Sequence, residues 1–182
     1  MPLSIHRAKG NLPTRDITVF AALAAMMFLS RLIMLMIPNV HVLGLFIAAM
    51  TISYRTRALI PLYAWIMLEG VLTGFSLWWI PYLYVWLPLW GMFMLVGRIK
   101  LPIKIKIPLY MMLCALHGLS FGTLYAPAQA LMFGFSFQVT VAWIIAGLPF
   151  DVIHAIGNFA AGTLILPLSS LLIRLDKGQY RA

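Results

Sequence analysis

Along the chain, long apolar runs alternate with short breaks that are basic or carry proline or glycine. After a polar start, Met1 to Asp16, an apolar run extends from Ile17 to Ile37 and closes at Pro38-Asn39. A shorter run goes from His41 to Tyr54 and ends at Arg55 and Arg57. Three more follow, from Ala58 to Trp78, Ile80 to Val96 and Pro108 to Met132. A hydrocarbon core of about 30 Å takes about 20 helical residues to cross, so the runs predict spans over 17–37, 41–54, 58–78, 80–96 and 108–132. The last run, Val139 to Leu175, is too long for one span, and Gly147-Leu148-Pro149 is expected to break it. Residues 133–147 then make an outer loop or partly helical cap, and 149–174 a sixth span with proline near its first turn, where it is tolerated. The first run is too long for a secretory h-region and has no small-residue cleavage site behind it.

Composition sharpens this picture. Of 182 residues, 63% are hydrophobic and 9% charged, with a mean hydropathy of +0.98. Soluble domains are about a quarter charged, so the chain reads as an all-α integral membrane protein forming one six-helix domain over 1–182. Nucleic-acid-binding, disulfide-scaffold and soluble-enzyme classes are excluded, and no length remains for a second, soluble domain. The single cysteine, Cys114, allows neither an internal disulfide nor a cysteine metal cluster.

The net charge of +9 is explained by where the cations sit. Arg7, Lys9 and Arg15 precede the first span, Arg55 and Arg57 follow the second, Arg98, Lys100, Lys104 and Lys106 follow the fourth, and Arg174, Lys177 and Arg181 end the chain. Of the 13 cations only Arg31 falls elsewhere. Positive charge crowding every second connection predicts six spans with both termini in the cytoplasm. Residues 99–107 alternate lysine with apolar side chains. This is either a surface for anionic lipid or a cytoplasmic partner, or a basic loop with incidental alternation. No internal repeat is evident.

Ionisable groups inside a membrane are costly and face a cavity or a partner. Arg31, Glu69, His117, Asp151 and His154 are the candidates. In Gly147-Leu-Pro-Phe-Asp-Val-Ile-His-Ala-Ile-Gly-Asn158, the residues Asp151, His154 and Asn158 are spaced i, i+3, i+7 and share one helical stripe about 10 Å long. Such a ladder suits a polar ligand entering from outside; alternatively it is an internal network, with Asp151 capping its own helix and the other two bonding neighbouring helices. Aromatic residues crowd the same outer end: Trp78, Trp79, Tyr82, Tyr84, Trp86 and Trp90 about the third connection, Tyr125 and Trp143 about the fifth. They supply an interfacial belt or the wall of a small-molecule pocket, to which Gln129, Gln138, Asn39 and His41 could contribute. Glu69 is expected to pair with His117, with a proton relay as the alternative. Arg31 neutralises Asp151, binds a ligand carboxylate or snorkels outward.

Two short motifs need weighing. Gly118-Leu-Ser120-Phe-Gly122 has the spacing of a nucleophile elbow, which raises a rhomboid-like intramembrane serine protease. The elbow requires a strand-to-helix turn, whereas Ser120 is expected in mid-span helix, and close helix packing explains the glycines as well. Ala21 and Ala25 put small residues four apart on span one, a pattern that lets helices approach closely.

These residues together resemble the substrate-binding S components of energy-coupling factor (ECF) transporters, six-span proteins of prokaryotic vitamin uptake. The resemblance covers size, topology and span order, and is most specific in Gly147 to Phe159 and in the Ala21 to Ala25 segment. It implies a pocket on the outer side, to which Asp151, His154, Asn158, Trp143, Tyr125, Gln129, Tyr82, Trp86 and Arg31 are assigned, and a docking face at Ala21 and Ala25. It implies partners too: a transmembrane T component and two cytosolic ATPases, with no cofactor or metal and no catalysis by the chain itself. In that family the S component is thought to topple in the plasma membrane, carrying its pocket inward. For the ligand, a corrinoid such as cobalamin or a queuosine-like base ranks ahead of pantothenate, whose carboxylate would need Arg31. A stand-alone secondary carrier is the alternative, although the inverted repeat or broken midplane helices of many carriers are not clear in the sequence.

Overall fold

The computed structural model describes residues 13–36 and 41–176. Arg7, Lys9, Asn39, Lys177, Arg181 and the Pro38-Asn39 boundary lie outside them. Among the described residues the chain is helical and holds no strand. Five helical stretches are long and apolar enough to cross a membrane: Thr14–Met34, Leu43–Thr73, Leu77–Val96, Ile103–Phe133 and Phe137–Asp176. The chain thus has the character of a multi-pass membrane protein.

Leu43–Thr73 covers the second and most of the third expected span, and it changes course at one residue. Arg55 has φ +58°, a conformation rare outside glycine. It separates α2 (Leu43–Tyr54) from a 3-10 turn and then α3 (Leu59–Thr73). Two bonds fix this costly turn: Arg55 Nη2 donates to the Met94 carbonyl at 2.5 Å, and Trp90 Nε1 donates to the Arg55 carbonyl at 3.3 Å. Either side of it, α3 packs on α1 (Thr14–Met34), while α2 packs on α9 (Ile165–Asp176) and on α5 (Leu87–Val96), which follows the short α4 (Tyr82–Val85).

The core centres on α2, which buries Leu43, Ile47, Ala48, Met50 and Tyr54 on nearly all sides, as expected of a helix apolar around its whole circumference. Trp65, Leu89, Phe93 and Ile165 complete that core from the surrounding helices. At one end, the Asp16 carboxylate pairs with Arg57 and ties α1 to the turn before α3.

The outer helices are α6 (Ile103–Leu119), α7 (Phe121–Phe133) and α8 (Phe137–Ala161). Three expectations change here. Of residues 133–147, expected as an outer loop or partly helical cap, only 134–136 leave the helix: α8 runs unbroken from Phe137 through Gly147 and Pro149. Proline removes one backbone hydrogen bond, but in apolar surroundings opening the neighbouring turns would leave further groups unmet, so the rest of the helix holds. The chain turns earlier instead, where Gly134 (φ +65°) closes α7 and the Ser136 hydroxyl accepts from the Val139 N–H at 3.3 Å to start α8. A second break, the 3-10 turn Gly162–Leu164, leads into α9. Ser120 sits in a one-residue break between α6 and α7, not in continuous helix. Lastly, Ile103–Ile107 is the start of α6, where a spacing of two sets Lys104 and Lys106 about 200° apart around the helix, so the alternation gives them no common face.

Glycine sets the closest approach of α6 to α8. A Cβ on Gly118 would lie 2.8 Å from the His154 carbonyl carbon, and one on Gly162 would lie 2.7 Å from the Met111 Cα. The outward face of α8 leaves Ile145, Val152 and Ile156 exposed, an apolar surface suited to lipid.

Backbone cannot yield as a flexible side chain does. Gly118→Ala is therefore expected to destabilise the protein by about 1–3 kcal/mol, read as a lowered thermal midpoint in detergent. Gly147→Ala on α8, where an added Cβ meets nothing within 4 Å, is expected to leave the midpoint level or raise it.

Candidate functional site

The stripe Asp151, His154 and Asn158 lies on the inward side of α8, with Asp151 and Asn158 buried and His154 half-buried. Each meets a different partner. Both Asp151 carboxylate oxygens accept the Gly122 N–H, at 3.0 and 3.1 Å. Gly122 belongs to the first turn of α7, whose N–H groups lack partners within the helix, so Asp151 caps a neighbouring helix and sits in its favourable dipole. A side chain at 122 is impossible without moving it, since a Cβ there would lie 2.6 Å from Asp151 Oδ2. His154 Nδ1 is 4.0 Å from Asp151 Oδ1, and its ring lies 5.2 Å from that of His41 and 5.3 Å from that of Phe121. The Asn158 carboxamide fits over Gly44, where an added Cβ would come within 2.5 Å of Oδ1.

Two cavities adjoin the stripe. The inner one, about 10 Å³, is lined among others by His41, Trp86, His117, Phe121, His154 and Asn158. The larger, about 260 Å³, is walled by Phe121, Tyr125, Trp143, Phe150, Asp151 and His154. Phe121 and His154 line both. In the larger wall, Tyr125 and Trp143 rings lie near parallel, 6.3 Å apart and 17° from coplanar. The Tyr125 hydroxyl donates to the Trp78 carbonyl at 2.5 Å.

The remaining assigned residues are distributed less closely. Trp86 lines the inner cavity and packs against Tyr82, their centroids 5.7 Å apart. Tyr82 stacks on Trp65 at 5.9 Å and lines neither cavity. Gln129 is half-buried and Gln138 exposed, both outside the cavity walls. Ala21 and Ala25 are exposed on α1.

Two pairings differ from expectation. Glu69 does not pair with His117. It is fully buried and pairs with Arg31 at 2.9 Å, while accepting from Trp65 Nε1 at 3.2 Å. His117 Nε2 donates instead to the Val85 carbonyl at 2.8 Å. Because α1 and α3 are neighbours, Arg31 reaches Glu69 and lines neither cavity; its guanidinium also lies 5.8 Å from the Trp78 ring centroid. The Ser120 hydroxyl donates to the His117 carbonyl at 3.1 Å.

Phe121, Phe150 and His117 were not assigned to the site from sequence. A signal for two of them existed: His117, Phe121 and Tyr125 recur every four residues and their rings touch in sequence, the first pair edge to face and the second tilted. Among the described residues, no group of three or more His, Cys, Asp or Glu side chains is placed to hold a metal ion.

Comparison with protein-family models, with curated proteins and with solved structures gives no match to this chain. The site therefore rests on its own geometry: two aromatic-walled cavities, one carboxylate already engaged, and no lysine or arginine in either wall.

The ion pair makes a measurable claim. Arg31→Met leaves a buried carboxylate without its cation and is expected to cost about 3–5 kcal/mol. Glu69→Gln in the same background is expected to restore much of the loss. A double-mutant cycle of thermal unfolding in detergent reads both, and additive losses would show that the two side chains are not coupled.

Proposed function

We propose that this chain is the substrate-binding S component of an ECF-type ABC importer for a vitamin or related micronutrient. The observation that carries the proposal is the adjoining pair of cavities built on the Asp151, His154 and Asn158 face of α8, within a helical body apolar enough to lie in a membrane. An aromatic-walled hollow with a few convergent polar groups is the usual form of a small-molecule site. Six spans are part of the proposal, supported by the Arg55 turn inside Leu43–Thr73. The cytoplasmic placement of both termini, in a prokaryotic plasma membrane, rests on the alternation of basic connections. Exposed Ala21 and Ala25 on α1 support a docking face for a T component, and two cytosolic ATPases supply the energy. The chain itself binds and carries, without catalysis. A larger cavity of about 260 Å³ suits a compact ring compound, such as a queuosine-like base, better than the far bulkier corrinoid.

One observation favours a stand-alone carrier as the second reading. The break at Ser120 interrupts a long apolar stretch, and secondary carriers build sites at such breaks. Here, however, the Gly122 N–H beyond the break is already taken by Asp151.

A pull-down of the tagged chain from native membranes, with mass spectrometry of proteins and retained small molecules, tests the proposal. Recovery of two ATPases, a T component and a small molecule is the expected outcome. His154→Ala is expected to cut small-molecule retention about tenfold or more with the complex still recovered, whereas Ala25→Leu is expected to lose the complex and keep the small molecule. A chain recovered alone that moves a solute into liposomes without ATP would overturn the proposal in favour of the carrier.

A further inference from the structure

The inner cavity concentrates unmet hydrogen bonds. Among the described residues five buried side-chain polar atoms have no hydrogen-bond partner, and four of them (His41 Nδ1, Trp86 Nε1, His154 Nε2 and Asn158 Oδ1) belong to side chains lining this one cavity. The fifth, Glu69 Oε2, faces Arg31 at 2.9 Å. Trp86 and Asn158 are more than nine-tenths buried. Buried polar atoms are almost always paired, so four orphans around one hollow mark a place where a polar group belongs.

Their chemistry restricts that group. Trp86 Nε1 can only donate and Asn158 Oδ1 can only accept, while each imidazole nitrogen does either according to tautomer. The complement is a guest that both donates and accepts. Charge restricts it further. Neither cavity wall contains lysine or arginine, the one carboxylate present is Asp151, and Arg31 is held by Glu69. An anionic guest would leave water, find no lysine or arginine to meet it, have to protonate one of the imidazoles in order to gain a counter-charge, and lie near a carboxylate. The hollow of about 10 Å³ has room for roughly one water-sized group, so only the leading polar atom of a ligand's tip enters and the rest of the tip stands at the mouth. The ligand's body must lie in the adjoining larger cavity, which shares Phe121 and His154 with the inner one.

Building on the ligand-site reading above, we propose that the inner cavity receives the uncharged donor–acceptor tip of a ring compound, of the carboxamide or lactam type, and that the site discriminates against carboxylates. Tyr125, Trp143 and Phe150 hold the ring, and Asn158 and Trp86 read the tip. Pantothenate-like acids are thereby disfavoured, because the arginine that would have served them is already committed.

The test uses the full chain in lipid nanodiscs and two matched probe pairs, nicotinamide with nicotinate and benzamide with benzoate, each pair sharing a ring and differing in charge at the tip. Binding is read by tryptophan fluorescence and equilibrium dialysis. Each amide is expected to bind at least about tenfold more tightly than its acid, the scale set by leaving one buried polar partner unmet. Trp86→Phe keeps the ring and removes the donor, and is expected to erase most of that preference; Asn158→Leu does the same from the acceptor side, with thermal midpoints recorded to confirm folding. Acids binding as well as amides, a preference untouched by Trp86→Phe, or no saturable amide binding, as when an ordered water satisfies all four atoms, would each overturn the inference. A chain that recovers its ATPases yet favours acids loses this inference and keeps the transport reading. An amide preference in a chain without ATPases does the reverse.

Discussion

The close approach of α6, α7 and α8 governs the geometry of the candidate site. Gly118 lets the α8 backbone come within contact distance at His154, and four residues later Gly122 offers its N–H to the Asp151 carboxylate. A side chain at 118 would run into the α8 backbone, and one at 122 would displace the Asp151 carboxylate. Together the two contacts set the rotation of α8 about its axis, turn Asp151, His154 and Asn158 inward, and leave the opposite apolar face for lipid. The cavities are what remains between helices held this close at glycine and kept apart elsewhere by aromatic rings.

The buried pair Arg31 and Glu69 plays a comparable part at α1 and α3. An ion pair in an apolar body gives little net stability and is lost only at high cost, so its clearest effect is to fix which helices are neighbours. It also holds the Arg31 guanidinium away from both cavities. The polar character of the cavities is in consequence one of hydrogen-bond donors and acceptors beside a single engaged carboxylate.

The apolar runs were legible in the sequence because a hydrocarbon slab imposes a length on every crossing helix, and the helical membrane character follows from that alone. The stripe on α8 was legible for the same kind of reason, since helical spacing alone places three residues on one side. What escaped was pairing between helices. Asp151 finds its partner in a backbone N–H, a group that every residue but proline carries and no residue type advertises. Glu69 chose Arg31 over His117 because α1 lies against α3, a neighbourhood that composition does not encode. The position of the turn before α8 was readable in Gly134 and Ser136, a helix-ending glycine followed by a capping serine, but Pro149 drew attention as the stronger breaker. In water that would often be right; within an apolar helix the neighbouring turns hold.

The bond between Asp151 and Gly122 joins the two helices that face each other across the larger cavity, with Tyr125 on α7 and Trp143 and Phe150 on α8. Its two oxygens share one N–H, so the link resists separation of the two helices. The span between the aromatic walls is accordingly calibrated by a carboxylate's reach and not by compressible side-chain packing. Any molecule lodged there is measured against a ruler whose two ends are a helix start and an acid three turns from its own helix end.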